Sequence, residues 1–329
     1  MGFMVGFAHV LAREATALWI SLEEWKFWSV TQTRYHPQTN KSTRGTMDRQ
    51  DFYETLAMAG NDKAAIFRAL RSMPIDAVAD VLNYVPAEYV NVRAAIPAMA
   101  PEGVQISWTG SAGYPLLMQS CAFVRALENG YRRFNGRGLD DAEILDFGCG
   151  WGRLIRLMYK FTAPDNIYGC DPWDRSIELC KQSNVQAHLA VSDYLPFSLP
   201  FPEAKFDLIY SFSVFTHLSE RAATAAITAC RKSIKENGMM VITVRPLSYW
   251  DHHEEAQNKV DREQMKRDHA TRGFAYTPHD RQAIDGDITY GDTSISLDYI
   301  RANWQDWDIV GTDCFLQDPF QTLVFLRPR

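Results

Sequence analysis

The stretch ILDFGCGWGR, residues 144–153, restricts the possible folds more than any other part of this chain. A short apolar run leads into Gly148, Gly150 and Gly152, and a helical pattern follows. Glycines so placed permit a tight strand-to-helix turn and let the backbone approach a ligand closely. From residue 143 short apolar runs alternate with helical spacing. EILDF (143–147) reads as a buried strand and 151–161 as a helix on Leu154, Ile155, Met158 and Phe161. NIYGCD (166–171) is a second strand, followed by a helix with Trp173, Ile177 and Cys180 on one side. QAHLAV (186–191) and FDLIYSF (206–212) are the third and fourth strands. Ser219 can cap the next helix, whose Ala223, Ala226, Ile227, Cys230 and Ile234 face the core and which stops at Asn237-Gly238. MMVITV (239–244) is a fifth strand. The pattern predicts an open, mostly parallel α/β sheet. WDIVGTDCF (307–315) and FQTLVFL (320–326), joined by a short turn, are expected to pair antiparallel.

Upstream the chain reads differently. Residues 1–28 are apolar and place Phe7, Leu11, Leu18, Leu22 and Trp25 near helical spacing, and 30–47 are polar without periodicity. We therefore expect an apolar helix and polar linker over 1–47. A helical extension with a cap loop is expected over 48–114, and the α/β domain over 115–329 with an insertion at 245–295. Asp48 can cap the first helix of the extension and Gly60 can end it. Prolines 86, 97 and 101 with glycines 103, 110 and 113 predict an irregular segment over 86–114. Pro115 then suits the first turn of a helix with Leu117, Val124, Leu127, Tyr131 and Phe134 on one face.

Composition narrows the function classes. Lys and Arg number 34 against 40 Asp and Glu, a net charge of −6, which argues against a nucleic-acid surface. The six cysteines form no CxxC pair, and three lie in apolar runs, as expected of reduced thiols in a cytoplasmic protein. No apolar run reaches the ~18 residues of a membrane span. The apolar N-terminus would suit packing against the body or against a second copy in a homodimer. DHHEE (251–255), His269, His279 and Asp280 match no metal signature, and the run from His253 to His269 reads as a solvated helix face; no metal is expected.

The glycine turn bears on the ligand. Asp146 precedes the glycines and Asp171 ends the next strand, where a carboxylate suits both hydroxyls of a ribose. Nicotinamide dinucleotides would place a pyrophosphate over the turn, next to the Asp146 charge, which is unfavourable in a partly dry site. S-adenosylmethionine has no phosphate and carries an ammonium and a sulfonium, to which Asp146 is an attraction. The spacing is also GxGxG rather than GxGxxG.

Four segments in order, LDFGCGWGR, GCDP (169–172), SDYLPF (192–197) and FDLIYSFSVFTHLSE (206–220), resemble the motifs of class I S-adenosylmethionine-dependent methyltransferases, most like bacterial enzymes acting on small molecules and glycans. The resemblance is strong over about 140–245 and extends to 329 through the terminal hairpin. It implies a Rossmann-like seven-stranded sheet with the last strand inserted antiparallel. It also implies S-adenosylmethionine as cofactor, with Gly148, Cys149, Gly150 and Gly152 presenting backbone to the methionine part and Asp146 near its amino group. Asp171 would take the ribose hydroxyls, with Pro172 beside it and Trp173 over the adenine. Asp193 would read the adenine amino group, flanked by Tyr194, and Ser211 would close on the cofactor. Arg153 reads as a helix-surface charge.

Methyl transfer to a hydroxyl needs a proton acceptor, and His217, just past the fourth strand, is the candidate. Acceptor-binding candidates are Trp108 and Tyr114 in the glycine-rich WTGSAGY segment, and Tyr249, His279 and Tyr290 in the long insertion. The acceptor would be a hydroxyl or amine of a small molecule or glycan. Two other classes fit less well: a nicotinamide-dependent oxidoreductase, disfavoured by Asp146, by the glycine spacing and by the hairpin, and a non-catalytic binding protein, disfavoured by the intact glycine turn with Asp171 and Asp193.

Overall fold

Strands with both faces buried need layers on both sides, and the helices supply them. The computed structural model describes residues 49–252, 261–315 and 317–329. The expected helix at 1–28, the linker at 30–47 and the Asp48 cap lie outside these residues. Seven strands form one sheet: β1 (Ile144–Phe147), β2 (Ile167–Asp171), β3 (His188–Val191), β4 (Phe206–Ser211), β5 (Ile234–Val244), and then, after a separate hairpin of β6 (Phe274–Pro278) and β7 (Gly291–Ile295), β8 (Trp307–Cys314) and β9 (Thr322–Pro328). Their order is β3-β2-β1-β4-β5-β9-β8. The first five run parallel, and β9 inserts antiparallel between β5 and β8. The expected seven-stranded sheet with its terminal hairpin is thus present.

Side chains alternate across the sheet, as the pleat requires. Ile144, Leu208, Met239, Val241, Leu323 and Phe325 join the core on one face. Leu145, Ile209, Met240, Ile242, Val324 and Leu326 join the core on the other. The first face is covered by α1 (Arg49–Ala57), α2 (Lys63–Ser72), α3 (Ile75–Asn83), α4 (Val90–Ala95), and, following α5 (Glu102–Thr109), by α6 (Gly113–Asn135), α7 (Ile155–Met158) and α8 (Asp174–Gln182). The second is covered by α9 (Glu220–Ser233) and, after α10 (Tyr249–His252) and α11 (Arg262–Arg272), by α12 (Leu297–Asn303) with Phe274 and Ile295 of the small hairpin. The extension does not form a separate core: Leu56, Ile66, Val78 and Val92 belong to the same cluster as Ile144 and Leu208.

The structure differs from expectation in four places. Residues 86–114 hold two helices, α4 and α5; the prolines flank them, with Pro101 as the N-cap of α5 and Gly110 as its left-handed C-cap. The helix expected over 151–161 is a single α-helical turn, because 151–154 continue the glycine turn. The helix before β5 ends at Ser233 rather than Asn237. Ile234 already pairs with Phe206, and a register shift between Phe206 and Leu208 absorbs the residues around Asn237-Gly238. Trp173 is the N-cap of α8 and 47 % exposed, not on its buried side. Ser219 caps α9 as expected, its hydroxyl accepting from the Ala222 N–H. No helix among the described residues is long and apolar enough to cross a membrane.

Candidate active site

Strand order reverses between β1 and β4, and in an open α/β sheet ligands bind beyond the carboxyl ends of the strands at that point. The loop after β1 carries Gly148, Gly150 and Gly152 with φ of +78°, +54° and +76°. A side chain at any of them is strained. A Cβ on Gly148 would also stand 2.4 Å from Val214 Cγ2, so the segment after β4 rests directly on the glycine backbone.

The amides of this loop point inward. Gly148 and Cys149 both donate to the Cys170 carbonyl (2.8 and 3.0 Å) and Gly152 to that of Cys149 (2.9 Å). Gly150 donates to Asp171 Oδ2 (3.0 Å). A phosphate at such a turn is held by free N–H groups, and these four are consumed within the protein. The turn therefore offers a phosphate none of these four donors.

Asp146 lies in β1 just before the turn and is 3 % exposed. Burial pushes its carboxyl up to about 8, against the pull of the nearby Arg153 guanidinium; Asp171 adds to the rise. The Tyr210 hydroxyl faces Asp146, yet this buried group has no partner at hydrogen-bond distance. A buried carboxyl beside an unpartnered hydroxyl is the setting for a hydrogen-bonding cation.

Asp171 is held rigidly at the end of β2, its Oδ1 accepting from the Trp173 N–H (2.9 Å) and its Oδ2 from Gly150. Burial raises its carboxyl, and these two amides oppose the rise. Each oxygen keeps further lone pairs, enough for a vicinal diol. Half-buried Pro172 follows it, and then Trp173, which stacks on Trp108 of α5 with centroids 4.8 Å apart at 25°. The Trp108 ring passes 3.8 Å from a Cβ built on Gly150, so the extension reaches over the glycine turn. Asp193 and Tyr194 are exposed on the segment after β3, Tyr194 within the field of Asp171. Ser211 differs from expectation: fully buried, it donates to the Phe147 carbonyl (2.9 Å) and ties β4 to β1 rather than facing a cavity.

A second cluster stands past β4. The His217 ring stacks on Tyr290 (5.0 Å, 6°). Its Nδ1 meets the Gly291 carbonyl at 2.7 Å and its Nε2 meets Arg245 Nη2 at 3.2 Å. The first contact needs the proton on Nδ1 and the second a lone pair on Nε2, so the ring is neutral with both nitrogens occupied. Burial and the Arg245 charge press its pKa down to about 3, against the pull of Asp292. This is not the geometry of the proton acceptor expected at His217. Asp292 is buried, takes Arg245 Nη1 at 2.7 Å, and takes His279 Nε2 at 2.9 Å. Tyr249 is buried beneath Arg245, whose guanidinium lies 4.1 Å from its ring, so it packs rather than lining open space. Tyr114 is 52 % exposed at the start of α6.

Three arginines carry more than the sequence reading gave them. Arg153 is half-buried, beside Gln119 and Phe212, not a surface charge. Arg156 is fully buried without a carboxylate; it donates to the carbonyls of Trp151 (2.8 Å), Gly152 (2.7 Å) and Ala98 (2.7 Å), joining the glycine turn to the extension. Its signal was a lone charge inside the apolar run LIRLMY (154–159). Arg245 follows MMVITV directly, at the carboxyl end of β5.

Residues 144–238 match the family described as "Methyltransferase domain". The chain is 30% identical over 98 residues to an uncharacterized methyltransferase of Anoxybacillus flavithermus, covering 30% of this chain and 44% of that protein. It is 31% identical over 101 residues to a ubiquinone biosynthesis O-methyltransferase of Cereibacter sphaeroides, covering 30% of this chain and 39% of that protein. It therefore spans less than half the length of either relative. Among solved structures, the PH0226 protein of Pyrococcus horikoshii is similar at 14% identity and a TM-score of 0.43, over 63% of this chain and 90% of that one. An S-adenosylmethionine-dependent methyltransferase of Clostridium acetobutylicum is similar at 13% identity and a TM-score of 0.43, over 68% and 95%.

Proposed function

We propose that this chain, whose residues 144–238 match the methyltransferase-domain family, transfers a methyl group from S-adenosylmethionine to a hydroxyl or amine of a small molecule or glycan. The observation that carries the reading is the glycine turn with its amides bonded inward beside the buried carboxyl of Asp146. That turn offers a pyrophosphate no donor, and the Asp146 carboxyl, once ionised, attracts an ammonium. Asp146 with the Tyr210 hydroxyl would hold the amino group, and Asp171 the ribose hydroxyls. Pro172, Trp173, Asp193 and Tyr194 would border the adenine. When bound, S-adenosylmethionine supplies an electrophilic methyl group on a positively charged sulfur. The chain's contribution is chiefly to hold acceptor and methyl in line and to exclude water, which Trp108 supports by reaching over the glycine turn.

A hydroxyl acceptor must also lose a proton. His279 fits that role better than His217: its Nε2 is oriented by Asp292, and its Nδ1 has no partner among the described residues. A base held by a carboxylate at one nitrogen and open at the other is the arrangement this chemistry uses. The domain limits proposed are 48–114 for the helical extension and 115–329 for the methyltransferase domain with its insertion. Titrating S-adenosylhomocysteine into the protein by calorimetry, with Asp171→Ala beside it, tests the reading. Micromolar binding lost in the variant supports it, and no binding by the folded protein overturns it.

A further inference from the structure

Arg153 is the first residue past the glycine turn, and its guanidinium is short of partners. Nη1 reaches Gln119 Oε1 at a long 3.3 Å, and the group lies 5.0 Å from the centre of the Phe212 ring. No carboxylate among the described residues pairs with it within 4.0 Å, although Asp146 and Asp318 are near enough for their charges to act on it. An arginine carries five donors in a planar fork, so most of this one's capacity is unspent. The other two buried arginines differ: Arg156 donates to three carbonyls, with its Nε left unpartnered, and Arg245 bonds Asp292, Thr216 and His217. Gln119, which holds Arg153, also lines a cleft of about 270 Å³ with Ser111, Pro115, Met118 and Gln317. Burial lowers the Arg153 guanidinium to about 10, still charged at neutral pH.

An α-amino acid presents ammonium and carboxylate on one carbon, so their partners must be neighbours of opposite sign that do not bridge each other. Arg153 and, once it ionises, Asp146 flank the glycine turn without bridging each other and meet both conditions. We propose that Arg153 binds the α-carboxylate of the cofactor's methionine part, so that with Asp146 the site reads the whole zwitterion; this rests on the S-adenosylmethionine reading of the site. Arg153 is thus a binding residue that selects cofactors with an intact amino-acid end.

The test titrates S-adenosylhomocysteine and its decarboxylated analogue into wild type, Arg153→Met and Arg153→Lys. Thermal melts establish that each variant folds, and Arg153→Gln stands in should Met fail. Wild type is expected to bind the intact ligand about 10–100-fold more tightly than the analogue, as for a lost charge-assisted bond. Arg153→Met is expected to bind both alike, at the wild-type affinity for the analogue, and Lys to restore part of the difference. An unchanged preference in Arg153→Met overturns the proposal, as does an equal loss for both ligands. Failure of wild type to bind either ligand overturns the cofactor reading itself, and this inference with it.

Discussion

Replacing Asp146 by Asn is expected to stabilise the ligand-free protein while destroying its cofactor site. The Asp146 carboxyl is pushed up to about 8 by burial, from an ordinary value of 3.8. Between those values the folded chain keeps a proton that the unfolded chain has released. Stability therefore falls as pH rises through this window, by about 1.4 kcal/mol per pH unit. An amide of the same shape has no proton to keep and escapes the penalty. From 3.8 to 7 the accumulated difference approaches about 4 kcal/mol, the ceiling if the surroundings do not relax. We expect a gain of about 2–4 kcal/mol at pH 7, or about 3–6 °C in Tm, shrinking to nothing near pH 4. Urea unfolding of both proteins at half-unit steps from pH 4 to 8 measures it. A gain that does not vary with pH, or a loss at pH 7, refutes the reasoning. The same buried carboxyl must ionise to meet an ammonium, so S-adenosylhomocysteine binding at pH 7 should release about one proton. Calorimetry in buffers of different ionisation enthalpy reads that number directly.

Three further perturbations separate the parts of the molecule. At the amino ends of the strands, Asp207 accepts from Lys235 and Arg137 at 2.8 Å each and from the Glu143 N–H at 3.0 Å. Burial raises its carboxyl, but these three donors hold it below its ordinary value. Asp207→Asn should cost about 2 kcal/mol at pH 7, with the difference present above about pH 4 and lost as pH falls below it, as acid unfolding curves will show. His279→Ala should lower kcat about 10²–10⁴-fold with a hydroxyl acceptor and leave S-adenosylhomocysteine affinity within about twofold, whereas His217→Ala should chiefly lower Tm; the reverse pattern restores His217 as the base. Trp108→Ala should remove a ring stack worth about 1 kcal/mol and weaken S-adenosylhomocysteine several-fold, and unchanged affinity would show that Trp108 does not cover the site.

How much was legible in the sequence follows from how local each signal is. The strands were readable because β1, β2, β4 and most of β5 are buried on both faces and so are written as apolar runs. The glycine turn and Asp171 were readable because backbone conformation and strand position are encoded within a few residues. What lay beyond reach depends on partners distant in sequence. Asn237-Gly238 has the chemistry of a helix stop, but the stop was already set at Ser233 by the pairing of Ile234 with Phe206. The prolines of 86–114 signal breaks, and two short helices fit between them. His217 stands where a base should stand, and only Arg245 and Gly291, 28 and 74 residues away, reveal that its nitrogens are occupied. Trp173 sits at helical spacing with Ile177 and Cys180, yet a ring from α5 draws it outward.

The bonds of Arg156 set the unit in which this protein can be recombined. A guanidinium without a counter-ion stays charged in the interior only while carbonyl oxygens surround it, and one of the three comes from Ala98, 58 residues upstream. Helices from another protein grafted in front of the sheet would arrive without that oxygen and leave the cation facing a gap behind the glycine turn. A chimera that exchanges the front helices must therefore keep residues 98 to 156 together, or replace Arg156 by an apolar side chain in the same step. The smallest interchangeable piece therefore begins well upstream of the matched residues 144–238, and its border is drawn by one buried positive charge.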